Sequence, residues 1–300
     1  MREELSATLE AVGLPPLRRA GQPLALASSR RFPDGAAWHI EIPSVEGPDA
    51  LEAVLQEARR LSIPIHRVSQ GSGVLLLSDD ELAAMARIGA DAGYEVVLWA
   101  GPRSGWDISA MARSSSGATS SAAVRGPAGI AAGVEEALRA AAAGIDGVLV
   151  ADTGLLWALG RAKVAGKLPG AFVLKTSLAL PTTNPATAIA LTEMGATSLN
   201  LPTDLPLADI AAIRAAVDVP LDCYIEGADD FAAPLRYHEI TELVEVAAPV
   251  HLKFGLRNVA GVYPAGGHLA ATVVAATRER VRRAALGVEA LRRRGAPEIL

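Results

Sequence analysis

Pro220-Leu-Asp-Cys-Tyr-Ile-Glu-Gly-Ala-Asp-Asp230 is the stretch on which the fold turns. Its opening run is apolar and β-branched, the composition of a strand buried on both faces. Asp222, Tyr224 and Glu226 stand at alternate positions, so in a regular strand their side chains point the same way. With Cys223 and Ile225 turned to a helical layer, the three polar groups face an interior. Two carboxylates and a phenol are costly there unless they are paired, hydrated or put to use. A barrel that opens onto a pocket meets this condition, and it predicts polar partners on the other strands.

Outward from that stretch the chain alternates strands and helices. Further strands are predicted at 38–43, 64–69, 94–100, 147–152, 172–178, 197–201 and 249–255. Between them lie amphipathic helices, the first carrying Leu51, Val54, Leu55, Ala58 and Leu61 on one face. Ser78 with Glu81 reads as a capping box, and Asn184-Pro185 as an N-cap followed by Pro at the first helical position. Eight such units of ~25–35 residues match a (β/α)8 TIM barrel. The rival, an open doubly wound sheet, brings a Gly-rich dinucleotide fingerprint after its first strand. Pro43-Ser-Val-Glu-Gly-Pro48 has none. The expectation is therefore an α/β TIM barrel over residues 38–295, preceded by a short N-terminal extension at 1–37.

Composition limits the function. Half of the 300 residues are apolar, enough for a core that needs no staple. The net charge of −5 argues against a nucleic-acid partner. A single cysteine excludes a disulfide framework, a four-thiolate zinc site and an all-cysteine iron–sulfur cluster. Met-Arg-Glu-Glu-Leu opens the chain without a signal-type apolar run, and no stretch is long enough to span a bilayer. A cytoplasmic protein acting on a small molecule is expected, with no membrane partner and with homo-oligomerisation left open.

Alternation along the strands turns these residues inward: His39, Glu41, Arg67, Ser69, Asp152, Lys175, Ser177, Asn200, Asp222, Tyr224, Glu226, His251 and Lys253, with His66 in the other phase. Any one of them is as often a structural counter-ion as a working group. Barrel interiors without a task are filled by Val, Ile and Leu, however, and here charged groups recur at one level. Lys175 and Lys253 have apolar neighbours, and burial makes an amine a base or a carbonyl nucleophile. Glu41, Lys175, Glu226 and Lys253 are the expected catalytic residues of a lyase, aldolase or isomerase. Its substrate would be polar and anionic or sugar-like. The competing view has each lysine neutralised by Glu41, Asp152 or Glu226.

Arg67, Ser69, Asn200, Tyr224, Arg257 and Asn258 are expected to bind substrate. The turn Gln70-Gly-Ser-Gly73 could offer backbone N–H groups to an anion. Residues 104–113, with Trp106 and Arg113, could form a lid. A divalent metal on Glu41, Asp152 and Glu226, with histidine help, is an open alternative, although no HExxH or CxxC spacing supports it. The arginines of the last helix, including Arg278, Arg280, Arg282 and Arg283, read as a solvated face. A ligand-binding barrel without catalysis is the alternative from another class.

Four phrases carry a family resemblance: Trp38-His-Ile-Glu-Ile-Pro-Ser-Val-Glu-Gly47, His66-Arg-Val-Ser-Gln-Gly-Ser-Gly73, Leu199-Asn-Leu-Pro-Thr-Asp204 and His251-Leu-Lys-Phe-Gly-Leu-Arg-Asn258. Over about residues 32–283 the chain resembles the collagenase-like peptidase family U32. The resemblance implies a barrel and, from the family label, a peptidase or amidase as the hydrolytic alternative. Other relatives carry a cysteine cluster able to hold an iron–sulfur centre. Here Cys223 stands alone, so no cluster is expected.

Overall fold

A computed structural model describes residues 2–15, 27–103, 122–228, 234–259 and 261–295. The strands are β1 (Trp38–Pro43), β2 (Arg67–Gln70), β3 (Glu95–Trp99), β4 (Gly147–Val150), β5 (Val173–Thr176), β6 (Leu199–Asn200), β7 (Leu221–Glu226) and β8 (Val250–Phe254). The helices are α1 (Arg2–Ala11), α2 (Pro48–Leu61), α3 (Asp79–Ala92), α4 (Gly126–Ala142), α5 (Thr153–Val164), α6 (Pro185–Glu193), α7 (Leu207–Ala216), α8 (Ile240–Ala247) and α9 (Ala270–Arg293). All strand pairs are parallel, in the order β5-β4-β3-β2-β1-β8-β7-β6. A parallel bridge from Lys175 to Ser198 brings β5 to β6. The fold is the expected (β/α)8 barrel, nearly closed.

The strand residues that face outward explain the helical layer. Ile40, Ile42, Val68, Val96, Leu98, Val148, Leu174, Leu199, Cys223, Leu252 and Phe254 pack with the apolar helix faces into one core. Their alternate neighbours therefore line the interior. On β3 and β4 those neighbours are Val97, Trp99, Leu149 and Ala151, a separate apolar cluster. On the other strands they are mostly polar, although Val173 at the start of β5 packs against that cluster. Two close approaches need glycine. A Cβ at Gly287 of α9 would lie 2.4 Å from the Phe254 ring, and one at Gly160 of α5 would lie 2.0 Å from the Met194 carbonyl. At both positions the helix sits nearer its neighbour than any larger residue allows.

Local signals hold where they were read. Ser78 and Glu81 form both halves of the capping box, and Asn184 caps α6 through Thr187 N. Residues 27–37 lie across the N-terminal end of the barrel. Ser28 donates to Ala248 O at 2.5 Å, and Arg30 bonds Arg214 O at 2.8 Å and Asp218 at 2.7 Å. Phe32 then stacks on His39 at 3.8 Å, and His39 on His66 at 4.0 Å, while His251 meets Phe32 edge-on at 4.8 Å. This stack floors the barrel beneath the charged interior. No described helix is long and apolar enough to cross a membrane.

Candidate active site

Inward residues of a closed barrel stack in tiers drawn from alternate strands. The lowest polar tier holds Arg67 of β2, Ser198 before β6 and His251 of β8. Arg67 Nη1 donates to Ser198 Oγ at 3.1 Å and to Asp222 Oδ1 at 3.0 Å, and its Nε bonds Glu95. Glu41 of β1, Lys175 of β5 and Asp222 of β7 form the next tier. Lys175 Nζ bonds Glu41 Oε2 directly and lies 3.6 Å from Asp222 Oδ2, which also accepts from Ser198 Oγ at 2.9 Å. Above them come Ser69, Asn200 and Lys253. Ser69 Oγ donates to Glu41 Oε1 at 2.6 Å, and Lys253 Nζ lies 3.3 Å from the same oxygen. With its amide oxygen turned to the ammonium, Asn200 accepts from Lys253 Nζ at 3.0 Å and from Leu178 N at 3.3 Å. The ammonium sits 4.3 Å from the centre of the Tyr224 ring.

One carboxylate, Glu41, is thus shared by two buried lysines. Burial opposes its ionisation, yet Lys175 and Lys253 outweigh that and bring its pKa down to about 2. Asp222 is likewise held well below the usual carboxylate range: burial resists, and Lys175, Arg67 and His251 prevail. Burial lowers Lys175 to about 8 against the pull of Asp222 and Glu41. His251 is lowered to about 3 by burial and by Arg67, so it is neutral and donates its Nδ1–H to Asp222 Oδ1 at 2.8 Å. Burial and the Glu41 charge push the Tyr224 phenol up. Leu149 and Tyr224 face inward yet keep 9% and 8% exposure. Lys253 and Lys175 themselves are buried, at 1% and 0% exposure.

The structure redistributes several of the residues expected here. Glu41, Lys175 and Lys253 converge on the axis, with Ser69, Asn200, Asp222 and Tyr224 around them. Glu226 does not join them. A bulge between Tyr224 and Glu226 places Glu226 opposite Phe254, a residue of the outer core. Glu226 there accepts from Tyr237 Oη at 3.0 Å and Arg257 N at 3.3 Å, with Arg283 at 3.5 Å. Asp152 is also elsewhere: it caps α5, accepting from Leu155 N at 2.9 Å and Val124 N at 3.0 Å. Glu41, Asp152 and Glu226 are therefore not brought together as a metal set. Among the described residues no group of three His, Cys, Asp or Glu side chains could hold a metal ion. Arg67 lies below the carboxylates with its donors engaged, not at the mouth where a substrate clamp was expected. Arg257 and Asn258 are exposed on the loop after β8.

The Gly-rich turn after β2 does form an anion cradle, and the chain fills it. Gly71 N and Ser72 N donate to the Glu46 carboxylate at 2.8 and 3.0 Å, and Gly73 N to Gln70 Oε1 at 3.0 Å. The expected lid at 104–113 lies outside the described residues. Two arginines near the mouth were not among the expected site residues. Arg103 stacks over Trp99 at 4.1 Å and bonds Gly71 O. Arg280 of α9 is buried at 3% exposure instead of belonging to a solvated face. Its 3.6-residue phase, set against Val273, Ala276, Thr277 and Ala284, was the available signal.

The model of Peptidase family U32 matches residues 128–233, in keeping with the resemblance read from the sequence. The matched segment includes Lys175, Asn200 and Asp222 but neither Glu41 nor Lys253. No curated protein matches the chain. Among solved structures, a putative fructose-1,6-biphosphate aldolase from Coccidioides immitis is 14% identical, with TM-score 0.54 over 85% of this chain and 90% of that one. The YdjI aldolase from Escherichia coli K12 is 15% identical, with TM-score 0.49 over 87% and 92%. A U32 peptidase is 16% identical, with TM-score 0.38 over 70% and 72%. The first of these likenesses bears on the barrel fold and on nothing finer.

Proposed function

We propose that the protein is a lyase of the aldolase type acting on a small carbonyl compound through an imine on Lys253. The observation that carries this reading is the sharing of Glu41 by Lys175 and Lys253 in the barrel interior. An amine placed beside a second cation and a carboxylate is the usual arrangement for carbonyl addition. Glu41, ionised with its pKa near 2, is the proton acceptor of the pair. Lys175, at about 8, is the donor close to neutral pH.

Lys253 first gives a proton to Glu41, its nitrogen then adds its electron pair to the carbonyl carbon, and Glu41 returns that proton to the carbinolamine hydroxyl, which leaves as water to give the iminium ion. Glu41 then takes the proton of the substrate hydroxyl. The C–C bond breaks toward the iminium, which becomes an enamine while the hydroxyl carbon leaves as a new carbonyl. Lys175 gives a proton to the enamine carbon, Glu41 passes the hydroxyl proton back to Lys175 across their bond, and water releases the second product and Lys253. Tyr224 covers one side of the Lys253 ammonium, and Asn200 and Ser69 hold it and Glu41 in register.

The test is borohydride trapping with a panel of aldehydes, ketones and 2-oxo acids, followed by peptide mapping. An adduct on Lys253 that disappears in Lys253→Met is the expected result. Absence of any adduct across the panel would refute the imine route. The U32 match favours a second reading, hydrolysis of a peptide or amide bond, which leaves no borohydride-stable adduct.

A further inference from the structure

Arg280 is the one buried cation near the mouth whose charge the described structure leaves unanswered. It projects from α9, which packs on β1 and β8. Its Nη1 donates to Ser44 O at 3.3 Å, just past the C-terminal end of β1. Its Nε is buried with no hydrogen-bond partner. Arg67, by contrast, has carboxylates within 4.0 Å on Glu41, Glu95 and Asp222, and no described carboxylate reaches Arg280 at that range. Glu46, the carboxylate coupled to it, spends its oxygens on Gly71 N and Ser72 N. Tyr263, whose hydroxyl meets Ser44 Oγ, and Tyr224 are the other titratable groups coupled to it, and burial keeps both phenols protonated. Arg280 therefore stands between the loops after β1 and β8 on one side and the Tyr224 wall of the reaction site on the other.

A guanidinium buried without a counter-ion is costly, and an incoming oxyanion would relieve that cost with two parallel hydrogen bonds. We infer that Arg280 is the anion-recognition residue of this barrel, taking the carboxylate or phosphate carried by the carbonyl substrate. The inference deepens the aldolase reading, since it assigns the substrate an acidic group held beyond Tyr224 from Lys253. It also answers the filled Gly-rich turn: the backbone cradle already holds Glu46, so the substrate's charge has to be met by a side chain.

Binding can be measured without any chemistry at the lysine. The whole protein is titrated calorimetrically with inorganic phosphate and, separately, with acetate, at low ionic strength. Saturable binding of at least one probe is expected, and the arm that binds tells phosphate from carboxylate. Arg280→Lys, which keeps the charge and loses the fork, should weaken it about tenfold, and Arg280→Met should remove it. Lys253→Met should bind the probe as the unaltered protein does while losing the borohydride adduct, so failure of imine chemistry and failure of anion recognition are read separately. If Arg280→Met does not fold, Arg280→Lys alone decides. Binding unchanged in Arg280→Lys, or no saturable binding of either probe, would overturn the inference, and Arg280 would then be a distant counter-charge for Glu46.

Discussion

At the scale of single residues, the interior is a set of charges that stand or fall together. Lys175 has two carboxylate neighbours and no exposure, and Glu41 has two lysines. Removing one partner of such a group leaves an uncompensated charge out of reach of water. Lys175→Met and Glu41→Gln should each destabilise the protein by ~3–5 kcal/mol in urea unfolding. The double variant should cost clearly less than the sum, because each change has already removed the other's partner. Simple additivity would mean that the two groups do not interact. The same logic explains which residues could be found beforehand. Alternation marked Glu41, Lys175 and Lys253 because their strands are regular. Asp152 was misplaced because an acid at the end of a strand is equally an acid at the start of the next helix, and its side chain turns to the Leu155 and Val124 amides.

At the scale of elements, β7 shows where period-two counting ends. Asp222 and Tyr224 point inward as counted. The bulge then inserts one residue, and Glu226 changes sides. Composition alone contains no trace of it, since Leu221, Cys223 and Ile225 keep the apolar alternation up to the bulge. Arg280 was hidden in another way: α9 carries many arginines, and only its helical phase separates the buried one from those in solvent. On the outer face Glu226 accepts from the Arg257 amide and so anchors the loop after β8. Glu226→Gln should leave borohydride trapping unchanged and speed hydrogen exchange at the Arg257 amide. A loss of trapping with normal exchange would place Glu226 in the chemistry after all. The caps at Ser78 and Asn184 were legible, and Ser78→Ala should cost ~1 kcal/mol through the lost bond to Glu81 N.

At the scale of the whole molecule, the floor of stacked rings ties stability to pH. Burial lowers His66 to about 4 and His251 to about 3, and His39 is lowered as well, its Asp34 partner only partly opposing burial. In the unfolded chain these imidazoles take up protons near pH 6.5. Below that pH the unfolded state binds more protons than the native one, so stability complete above pH 7 declines as pH falls toward 4. His66 alone accounts for roughly 3 kcal/mol of that loss. Melting temperature should therefore be level close to pH 7 and drop steadily between 6.5 and 4; a level profile down to pH 4 would mean that the rings are solvated. A different consequence belongs to the division of the interior into an apolar side, on β3 and β4, and a charged side elsewhere. On the imine route proposed above, an enamine on Lys253 is planar and has two prochiral faces, and a proton delivered from the charged side reaches only one of them. In deuterium oxide the label should enter product with a single configuration, and a racemic label would show that the planar intermediate turns freely between its two walls.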